Sequence, residues 1–483
     1  MKVVPAPLDL DALRRAFASG DWATATSRRR PIGLGEVVIA ADALDGLSAS
    51  VDAARHPGPI VVLFDTTPMR RGNTDLKPDV VSRLRAGLSG TDIRSHALGT
   101  SGTQLHVDGA ALAEADAAIE GAGCVVSVGS GTVTDVAKDA TFRAGIPFVV
   151  VQTAVSVNAF SDDMAVLLHH GVKRTVPSHW PDALIIDLEV IASAPPVMNQ
   201  AGFGELMGMF TAPADWYLAT VVGADDSYDA EIVRLFRDGG DRLLAHASGV
   251  AAARHDALAE LARQMTLTGI AMGVAGRTAP LSGAEHTISH LLDMAAPIDG
   301  RGLAFHGAQV GVASVLVAIA WSRLLREFEP ARLTSDASFG TIDPLQARVA
   351  SAFDRLDPTG AASAECWSDY RRKVERWNGS RAHLAAVAGS WPRHRAVLEG
   401  LVASPAAIVE GLRAAGAPTR FSELVPAIPA DVARWAVASC HLMRDRFTLA
   451  DLSNLTRATG PGGWDEVYAD ELLAEAAELG AGL

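Results

Sequence analysis

Residues 124–138 read CVVSVGSGTVTDVAK. Cys124 to Val128 form a short apolar run, which then enters Gly129-Ser130-Gly131-Thr132, and a helical stretch follows from Val133. A Val-rich run without polar alternation is how a strand covered on both faces reads. The glycines let the backbone approach a ligand closely, and the free N–H groups at a helix start face an anion. The stretch is neither a Walker A sequence nor a complete GxGxxG, so its strand-before, helix-after setting carries the phosphate reading. A tight turn with no ligand is the competing reading. Asp135 and Lys138 fall in the first turns of this helix, and Lys138 reads equally well as a solvated surface charge.

Working outward, three further runs have the same texture: PIVVLF at 59–64, PFVVV at 147–151 and LIIDL at 184–188. Helical stretches lie between them, such as 111–120 and 133–144. Strands alternating with helices predict βαβ units and a parallel sheet. After Ala194-Pro195-Pro196 the β-branched runs thin out and Ala/Leu/Arg stretches take over, as at 229–252, 257–272 and 309–325. Successive prolines exclude a continuing helix there. The fold expected is an α/β N-terminal nucleotide-binding domain with a parallel sheet over residues 31–195, followed by an all-α C-terminal domain over 196–483. Residues 1–30 read as an N-terminal extension whose Ser27-Arg28-Arg29-Arg30 is most simply a solvated charge run, and 326–380 as a polar region with loops.

The 483 residues carry 42 Lys+Arg against 56 Asp+Glu, a net charge of −14, which argues against a nucleic-acid or anionic membrane surface. The most apolar run, 310–321, stops short of the roughly 20 residues a membrane span needs and reads as a buried core helix. Cys124, Cys366 and Cys440 are too few and too scattered for a disulfide framework, which fits a reducing, cytoplasmic setting. Neither a nucleic-acid partner nor membrane insertion is expected.

The strand at 147–151 runs into Gln152-Thr153-Ala154-Val155-Ser156-Val157-Asn158. Polar loops at the carboxyl edge of a parallel sheet are where such folds bind ligands, so Thr153, Ser156 and Asn158 are candidate contacts, level with an ordinary turn. Asp65, closing an earlier strand, is a weaker candidate for a ribose hydroxyl. Further on come AGFGE at 201–205, SGAEHTISH at 282–290 and FHG at 305–307. His286 and His290 are four apart and share one helix face. One carboxylate with two imidazoles suits an open divalent-metal site that leaves room for a substrate oxygen, although HTISH is not the HExxH of zincins.

The string GSGTVTDVAKDATFRAGIPFVVVQTAVSVNAFSD, then IIDLEVIASAPPVMNQAGFGELMGMFTAPADW, resembles sn-glycerol-1-phosphate dehydrogenase of the iron-containing alcohol dehydrogenase, glycerol dehydrogenase and dehydroquinate synthase-like superfamily. The resemblance continues through SGAEHTISH, FHG and HLMRDRFTLADL, covering about residues 55 to 455. It implies a nucleotide-binding domain, a helical domain and an active site in the cleft between them. It places the dinucleotide phosphate loop on Gly131, Thr132, Val133, Thr134 and Asp135, with Gly129 and Ser130 just before. The second nucleotide loop falls on Thr153, Ala154, Val155 and Ser156. The metal ligands, and with them the catalytic set, fall on Glu205, His286 and His306. Asn158 and His290, with Glu205, are implied to meet substrate. The implied cofactors are NAD or NADP and one divalent metal, zinc by default, with nickel or iron as alternatives, and the implied partners are a small phosphorylated substrate and other copies of the chain.

Several positions depart from the family pattern. Glu205 stands where the family has Asp, Asn158 where it has the Asp of an SxDG motif, and Met209 where it has Lys. Such changes around an intact nucleotide loop suggest retained nicotinamide binding with altered substrate preference. The reaction expected is hydride transfer between nicotinamide and a small phosphorylated polyol or hydroxyketone such as glycerol 1-phosphate and dihydroxyacetone phosphate. The alternatives are a dehydroquinate synthase-like cyclase using NAD transiently and a catalytically decayed binding protein. Asp65 leans toward NAD, whereas Arg70 and Arg71 suit a 2′-phosphate. Lys138, Lys173, the histidines and the metal are the candidates to offset the acidic chain near an anionic substrate.

Overall fold

A computed structural model describes residues 8–18, 29–169, 172–335, 342–357, 359–456 and 463–483. Two compact units share the chain: residues 1–203 with 234–278, and residues 204–233 with 279–483. The expected boundary lies at 195; the segment 234–278, helical as expected, clusters with the first unit.

The first unit is built on six parallel strands. They are β1 (Glu36–Ala40), β2 (Ile60–Asp65), β5 (Ile93–Leu98), β6 (Cys124–Gly129), β7 (Phe148–Gln152) and β10 (Ala183–Asp187), in the spatial order β1-β10-β7-β6-β2-β5. The strands β3 (Arg70–Arg71) and β4 (Thr74–Asp75) form a small antiparallel ladder, and β8 (Met164–His169) and β9 (Val172–Pro177) a hairpin. The four runs read from sequence are β2, β6, β7 and β10. Val62, Val126, Val149 and Ile185 on them are fully buried, as strands covered by helices on both faces require. From β2 the chain moves to one side, to β5, and from β6 it moves to the other. The sheet therefore has its topological switch point between β2 and β6, where open α/β folds bind ligands beyond the carboxyl ends of the strands.

The helix Gly131–Ala144 starts directly after β6 and buries Val133 through Thr141. Its Lys138 is fully buried, which corrects the surface-charge reading. Nζ donates to Asp162 Oδ1 at 2.7 Å and to the carbonyls of Ala159, Asp162 and Met164. The ammonium's donors are thus taken up inside the unit, and Lys138 is no partner for a substrate anion. Ser27, Arg28 and the Lys173 side chain lie outside the described residues. Arg30 is not merely solvated, since it pairs with Asp163 at 3.2 Å.

The second unit is helical. Its central helix, His306–Glu327, contains the apolar run at 310–321 and packs against Ala284–Ile298, Pro405–Ala414 and Glu466–Glu478. Among the described residues it is the one helix long and apolar enough to cross a membrane. Its apolar window is 89% buried inside the protein, as a core helix would be. The stretch 229–252, expected as one helix, is three short ones, Ala230–Arg237, Gly240–Ala245 and Ala247–Ala251. The polar region at 326–380 leads into the longest helix of the chain as described, Ala361–Leu401.

Candidate functional site

The second unit brings Glu205, His286 and His306 together. Glu205 lies near the end of the helix Pro196–Leu206, His286 in the first turn of Ala284–Ile298, and His306 opens His306–Glu327. One donor atom from each lies within 4.8 Å of the others. Glu205 Oε1 is 3.2 Å from His286 Nε2, and Glu205 Oε2 is 3.9 Å from His306 Nε2. Glu205 and His286 are buried, and His306 is partly open. His290 stacks on His306 with centroids 5.3 Å apart and lies 6.3 Å from His286, so HTISH puts its second histidine beside the trio that holds its first.

The far nitrogen of each imidazole is held as well. His286 Nδ1 meets Glu285 Oε1 at 2.9 Å, and His306 Nδ1 meets Ser289 Oγ at 2.9 Å. Glu285 is itself fixed by the Gly283 N–H at 2.6 Å and the Thr211 hydroxyl at 2.9 Å. Burial alone lowers the proton affinity of His286, but Glu205 and then Glu285 outweigh it and raise the group to about 9. Asp215, fully buried and then pressed by Glu285, is pushed well above the usual carboxylate range, while accepting from the Ala284 and Leu449 N–H groups. The pocket around His286 therefore favours positive charge. A carboxylate and two imidazoles, with their outer nitrogens engaged, form a donor set that fits a divalent cation.

Neither Glu285 nor Ser289, Asp293 and Gln309 was singled out from sequence. The signal was present as spacing: 286, 289, 290 and 293 repeat at i, i+3, i+4 and i+7, a polar stripe on a helix whose Glu285, Ser289 and Asp293 are buried.

In the first unit, Gly129 closes β6 and Ser130 precedes the helix starting at Gly131 without capping it by its side chain. A Cβ on Gly129 would lie 2.6 Å from Val133 Cβ, and one on Gly131 would lie 2.7 Å from Val157 Cγ2, so both positions need glycine for close packing. Thr132, Val133, Thr134 and Asp135 form the first turn. The Thr153 N–H donates to the Gly129 carbonyl at 3.1 Å, which brings the loop Thr153–Ser156 beside the glycine turn. Asn158 lies half-buried two residues past Ser156. Asp65 ends β2 on the other side of the switch point. Its carboxylate accepts from the Thr67 N–H at 2.9 Å and hydroxyl at 3.0 Å, so part of its capacity serves the local turn. Arg71 is committed to Asp187 at 3.2 Å, which leaves Arg70 as the exposed cation on that ladder.

Residues 38–195 match the family model described as iron-containing alcohol dehydrogenase. Over that segment the chain is similar to the iron-containing alcohol dehydrogenase family. Among curated relatives it is similar to the glycerol-1-phosphate dehydrogenase (NAD(P)+) of Bacillus licheniformis, 29% identical over 67% of this chain and 66% of that one. The enzymes of the same name from Bacillus subtilis and Thermococcus kodakarensis are 32% and 31% identical, over 43% and 47% of this chain and 54% and 64% of theirs. The chain thus spans between about half and two thirds of the length of these relatives. Solved structures share the fold. Glycerol dehydrogenase from Schizosaccharomyces pombe aligns with a TM-score of 0.55 at 13% identity over 93% of each chain. A probable glycerol dehydrogenase from Sinorhizobium meliloti aligns at 0.52 and 18%, over 93% of this chain and 99% of that one.

Proposed function

We propose that the chain is a metal-dependent NAD(P) oxidoreductase acting on a small phosphorylated polyol or hydroxyketone, with glycerol 1-phosphate and dihydroxyacetone phosphate as the first pair to try. The observation that carries this reading is the convergence of Glu205, His286 and His306 donor atoms within 4.8 Å of one another. These three would hold one divalent cation, zinc first, with nickel or iron suited to the same donors. A bound cation would supply Lewis acidity toward an alcohol or ketone oxygen. The chain's own part is to keep the near nitrogens of both imidazoles aimed inward, through Glu285 behind His286 and Ser289 behind His306. His290, stacked on His306, and Asn158 are proposed substrate contacts.

For the nucleotide, the turn and first helical residues from Gly129 to Asp135, through the helix-start N–H groups that precede the Thr134 N–H (itself bonded to the Ser130 carbonyl), and the loop Thr153–Ser156 would cradle the phosphates, with Asp65 at the ribose side of the switch point. The similarity to glycerol-1-phosphate dehydrogenases (NAD(P)+) supports this half of the reading. A decayed binding protein is the poorer reading, because all three donor side chains are retained in one cluster.

Metal-loaded protein given glycerol 1-phosphate with NAD+ or NADP+ should accumulate reduced nicotinamide mole for mole with ketone. A dehydroquinate synthase-like cyclase would instead return its cofactor oxidised. Protein that neither binds a nicotinamide dinucleotide in calorimetry nor oxidises any polyol phosphate would contradict the proposal.

A further inference from the structure

An imidazole serves a cation only through a nitrogen that carries no proton, so its neighbours decide whether it is a ligand at all. Around His306 the neighbours form a chain: His306 Nδ1 to Ser289 Oγ at 2.9 Å, Ser289 Oγ to Gln309 Oε1 at 3.0 Å, and Gln309 Nε2 to Asp293 Oδ1 at 2.8 Å. Gln309 Nε2 also points at the Ala304 carbonyl at 3.3 Å.

The direction of this chain follows from which groups can donate. The Asp293 carboxylate and the Ala304 carbonyl are acceptors, so the Gln309 atom facing both is the amide nitrogen. Its oxygen then faces Ser289, and an amide oxygen only accepts. The single hydroxyl hydrogen of Ser289 is therefore used on Gln309. Toward His306, Ser289 can only accept, and Nδ1 must be the nitrogen that carries the proton. Ser289, Gln309 and Asp293 are all buried, so water does not compete for these bonds. Nε2, left as a lone-pair donor, is the His306 nitrogen that faces Glu205.

We propose that Asp293, Gln309 and Ser289 form a one-way hydrogen-bond relay that fixes His306 as its Nδ1–H tautomer and so makes it a metal ligand through Nε2. They act through His306 as positioning residues. The inference rests on reading Glu205, His286 and His306 as the metal centre, and it gives that centre two differently built histidines. His286 is hydrogen-bonded to a carboxylate, whereas His306 is hydrogen-bonded to a hydroxyl with the Asp293 carboxylate behind it, its Oδ2 3.8 Å from Nδ1.

The test has two arms. In metal-free protein labelled with 15N-histidine, at alkaline pH, the His306 resonances (those missing from His306→Asn) should show a protonated Nδ1 and an unprotonated Nε2. In chelator competition, Ser289→Ala and Gln309→Leu should each bind zinc about 10–100-fold more weakly than wild type, the range for loss of a partner behind a ligating histidine. An Nε2–H tautomer in the wild type, or both variants folded and binding zinc as tightly as wild type, would overturn the relay. If the variants unfold, the wild-type spectrum decides alone. Tight zinc binding with the wrong tautomer would sink the relay and spare the metal centre, whereas wild-type protein that takes up no zinc would remove both.

Discussion

Glu205 reaches the two histidines from a backbone that cannot give way. A Cβ on Gly204 would collide with the Gly307 carbonyl oxygen, and one on Gly311 would lie 2.9 Å from the Gly204 Cα. Residues 204–205 are thus pressed against the helix that His306 opens, and the length of the side chain at 205 sets where its carboxylate sits. Glu205→Asp removes one methylene without letting the backbone follow. We predict that it weakens zinc binding by about ten-fold or more, measured by chelator competition; unchanged affinity would contradict this account. The stretches that hold Glu205, His286 and His306 stand out by their acid and imidazoles, but grouping these three as one ligand set rests on the family resemblance. Ser289 and Gln309 do not stand out, because uncharged residues on a helix advertise nothing until their partners are placed around them.

At the level of elements, two contacts carry more than their residue types suggest. Gly204 lets one helix approach another, so Gly204→Ala should force a backbone shift costing about 1–3 kcal/mol, read as a lowered thermal midpoint. A variant as stable as wild type would show that the helices part easily. Lys138 ties the helix Gly131–Ala144 to the segment leading into the β8–β9 hairpin. Lys138→Met would leave Asp162 buried with its ion-pair partner gone, at a cost of about 3–5 kcal/mol in urea unfolding. Dinucleotide affinity measured below the transition should change little, because Lys138 spends its donors within the unit. The four apolar strands were readable because each is sealed on both faces. The edge strand β5, IRSHAL, was missed because half of its side chains face water and only Ile93 and Leu98, at its two ends, are buried, which leaves no continuous apolar run. The broken helix at 230–251 was missed because composition favours helix throughout, while the chain turns at Asp238-Gly239 and again near His246.

Across the whole molecule, the charge balance is less informative than its buried part. The second unit holds the Lys373–Asp451 pair, 2.8 Å apart and almost fully buried, and His441 nearby. Burial, with Arg348 and Lys373 adding to it, holds the His441 imidazole well below its ordinary value. Above pH about 6.5 it is neutral folded or unfolded and contributes no pH dependence. As pH falls below that, the unfolded chain takes up a proton that the folded chain refuses. Stability is then lost at up to about 1.4 kcal/mol per pH unit. His441→Leu should flatten the decline in urea midpoint between pH 6.5 and 5, and an identical slope in wild type and variant would assign the acid sensitivity elsewhere. The two units have different legibility: the sheet was written in its apolar runs, whereas the inclusion of 234–278 with the sheet depends on packing that no local pattern encodes.

The most direct measurement is a zinc titration of chelator-stripped protein held with glycerol 1-phosphate and NAD+, following reduced nicotinamide. The account predicts negligible turnover when stripped, restoration at one equivalent of metal per chain, and no restoration in His286→Ala. Full turnover in the stripped protein, or restoration in His286→Ala equal to wild type, would contradict it.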